Sequence, residues 1–177
     1  MSNILITGAS GFIGSFIVEE ALRRGMNVWA AVRHTSSRRY LTDKRINFIE
    51  LDFSSAERLR KSLGHHTFDY VVHAAGVTKC LHRDDFHRVN TLGTKNLVDA
   101  LLALQMPLRR FVFISSLSVY GAVCERQPYR DISENDIPRP NTAYGRSKLE
   151  AERYLESIGN DFPYIILRPT GVYGPRE

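Results

Sequence analysis

A glycine-rich segment near the N-terminus constrains the fold of this chain more than any other feature. The segment reads Thr7-Gly-Ala-Ser-Gly-Phe-Ile-Gly14 and follows a short apolar run, Ile4-Leu-Ile6. After it, apolar residues recur at helical spacing until Arg23-Arg-Gly25, and basic residues followed by glycine are typical of a helix end. The glycines therefore lie where a strand turns into a helix, which is the context that gives such a spacing meaning.

Each of the three glycines has a physical reason to be at its position. Gly8 permits a tight turn, Gly11 allows the backbone to approach a pyrophosphate, and Gly14 allows the helix to pack closely on the strand. The helix N-terminus then offers free N–H groups and the positive end of its dipole to the phosphates. A glycine turn without a ligand is the alternative, and the alternation of elements along the chain makes it the less favoured one.

Strands and helices alternate along the rest of the chain. Further strands are predicted at 28–32, 46–50, 70–74, 111–114 and 164–167, and helices at 54–63, 86–104 and 142–158. Apolar strands of this kind suit a parallel sheet that is covered on both faces. The predicted fold class is α/β, a doubly wound Rossmann-type parallel sheet with strand order 3-2-1-4-5-6 and helices on both faces. We treat residues 1–177 as one dinucleotide-binding domain.

The composition narrows the functional classes. A chain with 43% hydrophobic and 24% charged residues is an ordinary globular protein. No apolar run approaches the roughly 20 residues of a membrane helix, and no export signal precedes the first strand. Cys80 and Cys124 lack the spacing of a disulfide framework or a metal site, so a cytoplasmic protein without metal is expected. The net charge of +5 comes from basic residues scattered among acidic ones, which favours an anionic small ligand over nucleic acid.

The residue that ends the second strand distinguishes the two nicotinamide dinucleotides. An acid there accepts from the ribose hydroxyls of adenosine, whereas an arginine accommodates a 2′-phosphate. Arg33 occupies this place and favours NADP over NAD, although a solvated strand end would equally explain an arginine. Asp52, just after the third strand, is a candidate for the adenine amino group, or else a helix cap shared with Ser54.

Tyr144 and Lys148 are four residues apart on a predicted helix, so their side chains lie on one face. A tyrosine near its usual pKa of about 10 is a poor base at neutral pH. An ammonium about 5 Å away stabilises the phenolate by about 3 kcal/mol at an effective dielectric constant of about 20, and burial opposes this effect. We therefore expect Lys148 to bring the pKa of Tyr144 toward the range of a general acid/base. Spacing alone is weak evidence, because helices often produce such pairs.

A hydroxyl near the substrate oxygen would complete this arrangement. Ser115 and Ser116 end the fifth strand, at the carboxyl edge where open α/β sheets bind ligands. Ser118 is less well placed, and ordinary capping of the strand end is the alternative for all three serines. The long polar loop 121–141 leads directly to Tyr144, and such loops are uncommon in a compact domain unless they serve a site.

These segments together resemble the short-chain dehydrogenase/reductase family, and within it the extended group of nucleotide-sugar epimerases and dehydratases. The resemblance covers the whole chain. It rests on the glycine segment and on Leu51-Asp52, His73-Ala-Ala-Gly76, Val89-Asn-Thr-Leu-Gly-Thr94, Ser115-Ser-Leu-Ser-Val-Tyr-Gly121, Tyr144-x-x-x-Lys148 and Arg168-Pro-Thr-Gly-Val-Tyr-Gly-Pro175.

The resemblance implies a role for each of three residues. Tyr144 would be the general acid/base, and Lys148 would hold the nicotinamide ribose and lower the tyrosine pKa. Ser116 would form a hydrogen bond to the substrate oxygen. Tyr144 would take a proton from a substrate hydroxyl as hydride passes to the nicotinamide, or the reverse for a ketone. The implied cofactor is NADP, preferably, or NAD, contacted by Gly8, Gly11, Phe12, Ile13, Gly14, Arg33, Asp52, Phe53, Ala74, Ala75, Gly76, Asn90, Tyr144, Lys148 and Pro169.

The resemblance also implies a small-molecule substrate, a nucleotide sugar or a similar hydroxyl or ketone compound, and a homodimer through helices 86–104 and 142–158. The end of the second strand, with Arg33, instead resembles that of NADPH-dependent carbonyl reductases of the dihydroflavonol type, which are an alternative to the nucleotide-sugar enzymes. A dinucleotide-binding redox sensor without catalysis is the alternative of another class. Extended members of the family are considerably longer, so we expect the C-terminal substrate lobe to be missing here and the 177-residue chain alone to be inactive.

Overall fold

A computed structural model describes residues 1–122, 131–133 and 135–176. Within these ranges one parallel sheet has the order β3-β2-β1-β4-β5-β6, which confirms the predicted order. The order reverses between β1 and β4, so a crevice at the carboxyl ends of these two strands is the expected place for a ligand. The strands are β1 (Asn3–Thr7), β2 (Asn27–Val32), β3 (Asn47–Glu50), β4 (Tyr70–His73), β5 (Arg110–Ile114) and β6 (Tyr164–Leu167).

The helices follow the predicted alternation, with one difference. They are α1 (Phe12–Arg23), α2 (Ala56–Leu63), α3 (Arg83–Phe86), α4 (Gly93–Ala103) and α5 (Ala143–Ile158). The single helix predicted at 86–104 is wrong in detail, because a π-helical turn, His87–Leu92, separates α3 from α4. This turn carries the buried Asn90, whose side chain bonds to backbone and side-chain atoms outside the helix. Turns of this kind are frequently found at functional sites.

The ends of α1 and α5 follow from their local sequence. Gly25, at φ 71°, follows the last turn of α1, and its N–H donates to the Leu22 carbonyl, so the end predicted there is confirmed. The Thr142 hydroxyl accepts from the N–H of Gly145 at 2.9 Å and caps α5. A glycine at φ 70°, Gly159, then ends this helix. The cap fixes where the helix bearing Tyr144 begins.

Helices cover both faces of the sheet, as predicted. On one face α2, α4 and α5 bury a core that includes Leu5, Phe68 and Phe111. On the other face α1 buries Ile6 and Val28, among other residues. Burying such side chains stabilises the fold by about 1.5–3 kcal/mol each. The β1 residues point alternately into the two cores, which is the strand periodicity expected of a sheet covered on both sides.

The β6 end of the sheet is only partly covered within the described ranges. Ile165 and Leu167 on this strand are 42% and 47% exposed. No helix of the described ranges is both long and apolar enough to cross a membrane. Part of the predicted loop 121–141, including Cys124, lies outside the described residues.

Candidate functional site

The glycine segment forms the turn between β1 and α1 and packs against the loop after β4. Gly8 has φ 67°, and a Cβ there would lie 2.6 Å from the Ala75 nitrogen. A Cβ on Gly14 would lie 2.1 Å from the Gly8 carbonyl oxygen, so α1 approaches the turn as closely as a glycine allows. The N–H of Gly11 donates to the Gly8 carbonyl at 2.9 Å and closes the turn. The tight turn predicted at Gly8 and the close packing predicted at Gly14 are present.

The N-terminus of α1 is able to bind an anion. Gly11 is the N-cap and offers no side-chain hydrogen bond to the first turn, which also contains no acidic residue. Free N–H groups at such a terminus bind phosphate well, because the helix dipole adds to their partial positive charge. Phe12 and Ile13 are the first residues of the helix and are partly buried. The segment therefore fits the pyrophosphate of a dinucleotide.

Two residues predicted to contact the adenosine half have different surroundings. Arg33 follows β2 directly and is exposed, and its backbone N–H donates to the Ser36 hydroxyl at 2.9 Å. Asp52 accepts from the N–H of Ser54 at 2.9 Å and forms an ion pair with Arg58 at 2.6 Å. Hydrogen bonds from Ser54, and then from Arg58, lower the pKa of Asp52 to about 2. Asp52 is thus partnered by Ser54 in its own loop and by Arg58 on α2, and the cap of α2 is Ser55.

Ser116 and Tyr144 come together at the carboxyl edge of the sheet. Ser116 follows β5 and begins a 3-10 turn, Leu117–Tyr120. Its hydroxyl donates to the Ser118 hydroxyl at 3.1 Å, and it accepts from the N–H of Ser118 at the same distance. The Ser116 side chain lies near the Tyr144 phenol and acts on its pKa. The 3-10 turn and α5 approach each other so closely that a Cβ on Gly145 would lie 2.4 Å from the Ser118 carbonyl oxygen.

The pKa of Tyr144 moves in the opposite direction to the sequence prediction. Burial raises this pKa, and the nearby Ser116 side chain only partly opposes the increase. The phenol packs edge-on against Phe86, with 6.1 Å between ring centroids, which removes water from one side. Desolvation disfavours the charged phenolate. The phenol is therefore protonated at neutral pH in this structure, and the predicted lowering by Lys148 is wrong in net direction.

Lys148 is buried beside the end of β5. Its ammonium donates to the Ile114 carbonyl at 2.9 Å and lies 4.9 Å from the centre of the Phe113 ring. Burial lowers the pKa of Lys148 to about 8, while the nearby carboxylate of Glu152 acts in the opposite direction. The carbonyl and the aromatic face replace part of the hydration that the ammonium has lost. Lys148 can therefore hold a proton at neutral pH and release it in mild alkali.

The remaining predicted residues surround this site. Asn90 donates to the Val77 carbonyl and to the Ser147 hydroxyl, both at 3.0 Å, and accepts from the N–H of Val77 at 2.8 Å. The Pro169 carbonyl accepts from the N–H of Leu117 at 2.9 Å, which places Pro169 beside the turn that carries Ser116. The loop residues Ala74 and Gly76 lie against Gly8 and Asn90, respectively, and the Phe53 ring lies 5.8 Å from that of His73.

Some residues around the site are absent from the sequence predictions. Glu152 has no exposed surface and pairs with Arg168, whose guanidinium also donates to the Tyr120 hydroxyl. Its position one helical turn after Lys148 is a signal that could have revealed it.

Ser115 was predicted as a candidate hydroxyl, and its Oγ is buried without a hydrogen-bond partner among the described residues.

The fold and this edge of the sheet define a doubly wound α/β protein with a dinucleotide-binding turn. A model of the NAD dependent epimerase/dehydratase family matches residues 4–177. The chain belongs to this family.

Individual relatives agree with this placement. The chain is 33% identical to a UDP-glucose 4-epimerase of Vibrio cholerae, covering 98% of this chain and 52% of that protein. It is 28% identical to a ketoreductase for 4-hydroxy-2-methyl-3-oxo-4-farnesyl-3,4-dihydroquinoline-1-oxide from Stigmatella aurantiaca, covering 96% and 50%. The solved UDP-glucose 4-epimerase of Thermus thermophilus in complex with NAD superposes with a TM-score of 0.87 at 30% identity, covering 99% and 57%. The chain thus spans about half the length of these relatives.

Proposed function

We propose that the chain is the dinucleotide-binding half of an NAD(P)-dependent epimerase or oxidoreductase that acts on a nucleotide sugar or a similar hydroxyl or ketone compound. The observation that supports this proposal is that Ser116 and the Lys148 ammonium both lie at the carboxyl end of β5, with Tyr144 one helical turn before Lys148 on α5. Open α/β sheets bind their ligands at this edge. The UDP-glucose epimerases among its relatives support a nucleotide sugar as the substrate class.

The cofactor we propose is a nicotinamide dinucleotide. Gly8, Gly11 and the first residues of α1 would hold its pyrophosphate, while Ser115 and Lys148 lie at the end of β5 where the nicotinamide half would reach. When bound, the nicotinamide accepts or returns a hydride. The exposed guanidinium of Arg33 supports NADP, whereas the solved relative named above holds NAD. A direct comparison of the two cofactors decides between them.

The protein's own part in the reaction is proton transfer and orientation. The Tyr144 phenol is protonated at neutral pH and would donate its proton to a substrate carbonyl oxygen, but burial, by raising its pKa, makes it a weaker acid than a free tyrosine. Ser116, which lies near the same phenol, would form a hydrogen bond to that oxygen and hold it in place. The buried Lys148 ammonium would stabilise the phenolate left behind. In the opposite direction, this phenolate would accept the proton of a substrate hydroxyl.

The nearest competing function is a carbonyl reductase, which transfers a hydride from NAD(P)H to its substrate without first removing one. The Stigmatella aurantiaca ketoreductase supports it as a second candidate, since this relative covers 96% of the chain at 28% identity. Both candidates use Tyr144 in the same way. They differ in the product, because an epimerase leaves the cofactor unchanged after each turnover and a reductase consumes NAD(P)H.

The test is a Tyr144→Phe change in the protein extended by the remainder that relatives possess, with Tyr164→Phe on β6 as a matched control. UDP-glucose is assayed for epimerisation, and NAD(P)H oxidation is followed with a carbonyl substrate. We expect Tyr144→Phe to lower kcat at least 100-fold while dinucleotide binding persists, because general acid/base catalysis contributes about 10²–10⁴-fold. Unchanged turnover in Tyr144→Phe would remove the proposed role. Residues 1–177 alone are expected to bind dinucleotide without turnover.

We also propose that the protein forms a homodimer through the helical run Arg83–Ala103 and α5. These helices pack on the same face of the sheet and expose polar faces with several ion pairs, such as that of Lys95 with Asp99 at 3.4 Å. Sedimentation equilibrium tests the proposal. A charge reversal, Lys95→Glu, is expected to shift the dimer toward monomer, and a monomeric wild type would contradict the proposal.

A further inference from the structure

A buried histidine joins three elements behind the candidate site. His73 ends β4 and is 1% exposed. Its Nδ1 lies 2.7 Å from the Thr7 hydroxyl on β1, and its Nε2 lies 3.0 Å from the Thr94 hydroxyl on α4. Both ring nitrogens therefore have a hydroxyl partner. A hydroxyl can donate or accept, so these two contacts alone leave the position of the ring proton open.

The second contact of each threonine hydroxyl settles where the protons lie. The Thr94 hydroxyl is 2.6 Å from the Asn90 carbonyl, which can only accept, so the hydroxyl proton points there. The Thr94 oxygen must then accept from His73, which places a proton on Nε2. On the other side, the Thr7 oxygen accepts from the N–H of Ala75 at 3.2 Å, and its own proton is free for Nδ1.

The result is a chain of hydrogen bonds that all point the same way. It runs from the Ala75 N–H to Thr7, on to His73 and Thr94, and ends at the Asn90 carbonyl. The opposite tautomer would place two oxygens 2.6 Å apart, those of Thr94 and Asn90, with no proton between them. Such an arrangement of two acceptors is strongly unfavourable in a buried environment.

The surroundings of His73 also oppose a second ring proton. The rings of Phe53, Phe111 and Phe113 lie 5.8, 6.1 and 5.9 Å from the imidazole, so no water reaches it. The ammonium of Lys148 lies against Phe113 and is the charged group that acts on His73 from α5. Burial, followed by this charge, lowers the pKa of His73 to about 3.

Both ends of this chain lie at parts of the candidate site. Ala75 belongs to the loop that packs on Gly8. The Asn90 side chain at the other end binds Val77 of the same loop and the Ser147 hydroxyl, and Ser147 donates to the Tyr144 carbonyl at 2.8 Å. One continuous network thus connects the glycine turn with the first turns of α5.

We propose that His73 is a positioning residue, whose neutral Nε2–H form sets the direction of this chain and thereby holds the loop Ala74–Val77 against Asn90 and α5. The positioning of Tyr144 and Lys148 rests on the proposed function. The hydrogen-bond chain itself does not.

The first test is the protonation state of His73 in residues 1–177. Nitrogen NMR of protein labelled at its six histidines distinguishes a protonated Nε2 from a protonated Nδ1, and His73→Gln identifies the His73 signals by their loss. We expect the Nε2–H form, without titration between pH 5 and 8. An Nδ1–H form, or titration of His73 within this range, would overturn the proposal.

The second test uses a matched pair of changes at Thr94, which lies outside the candidate site. Thr94→Val removes the acceptor with little change of shape, and Thr94→Ser retains it. We expect amide exchange at Ala75 and Val77 to become about tenfold faster in Thr94→Val and to stay near the wild-type rate in Thr94→Ser. Exchange at Ala30 on β2 is the internal reference. Equal exchange in both variants would overturn the proposal, and if Thr94→Val does not fold, the NMR test still decides it.

These tests need neither cofactor nor substrate. A His73 in the expected form in a protein that binds no dinucleotide would contradict the proposed function and leave the hydrogen-bond chain intact. A protein that binds dinucleotide but has His73 in the Nδ1–H form would contradict the hydrogen-bond chain and leave the proposed function intact.

Discussion

The guanidinium of Arg168 holds the carboxylate of Glu152, which has no exposed surface, through contacts of 2.8, 3.1 and 3.3 Å. Glu152 lies one helical turn after Lys148 and raises the pKa of that ammonium against the effect of burial. Arg168 also bonds the hydroxyl of Tyr120, at the end of the turn that begins after Ser116. A single ion pair with a buried carboxylate therefore supports two sides of the candidate site.

Removing Arg168 should destabilise the fold strongly. In Arg168→Met the buried Glu152 carboxylate loses the hydrogen bonds of the guanidinium, and breaking one side of a buried ion pair costs about 3–5 kcal/mol. Urea denaturation measures this loss. Arg153→Ala, an exposed arginine of the same helix, is the control and should change the free energy of unfolding by less than about 0.5 kcal/mol. The double change with Glu152→Gln should recover much of the loss, and a cost below about 1 kcal/mol in Arg168→Met would contradict the prediction.

The buried Lys148 should make stability depend on alkaline pH. Its pKa of about 8 in the folded protein is below its ordinary value of 10.5, so between these values the unfolded chain binds more protons than the folded one. Stability therefore rises with pH in this window, by up to about 3 kcal/mol for Lys148 alone. The free energy of unfolding of the wild type, measured relative to that of Lys148→Met, should increase from pH 8 to 10.5. A constant difference would show that the lysine is not desolvated.

Gly8 and Gly25 separate the effect of backbone strain from that of close approach. Both have positive φ, 67° and 71°, but an added Cβ meets the Ala75 nitrogen at Gly8 and no atom within 4 Å at Gly25. Gly25→Ala should cost about 1 kcal/mol through strain alone and leave NADH binding unchanged. Gly8→Ala should cost more and abolish binding, as followed by NADH fluorescence and thermal denaturation. Equal behaviour of the two variants would contradict this explanation.

Arg33 should decide the cofactor preference. If its guanidinium binds a 2′-phosphate, NADPH should raise the melting temperature more than NADH does, and Arg33→Ala should remove the difference. The ion contact is worth about 1.5–3 kcal/mol, or about tenfold or more in affinity. Arg110→Ala, which removes the same charge at the opposite end of the sheet on β5, is the control. Equal stabilisation by both cofactors, or preference for NADH, would contradict the prediction.

The sequence predicted the strands and α1 well because their signals are local. Apolar runs bounded by glycine or charge define strands such as Val28–Val32, and Arg23 with Gly25 marks the end of α1. The strand order followed because right-handed crossovers leave few arrangements of such an alternation.

The features that the sequence did not predict depend on contacts between distant segments. The π-helical turn is tied to the bonds of Asn90 with Val77 and Ser147, which are 13 and 57 residues away. The direction of the Tyr144 pKa depends on how deeply the phenol is buried, and spacing from Lys148 carries no information about that. The pairing of Glu152 with Arg168 joins a helix to the end of β6 in the same way.

The π-helical turn offsets the register between the two parts of one helical run. An α-helix turns by about 100° per residue, so deleting one residue within 87–92 would rotate everything before it by about that angle relative to α4. Phe86 would then leave the ring of Tyr144, while the core contacts of α4 would be unaffected. A one-residue gap at this place in an alignment would look like ordinary length variation. It marks, however, a relative in which a different side chain packs against the residue equivalent to Tyr144.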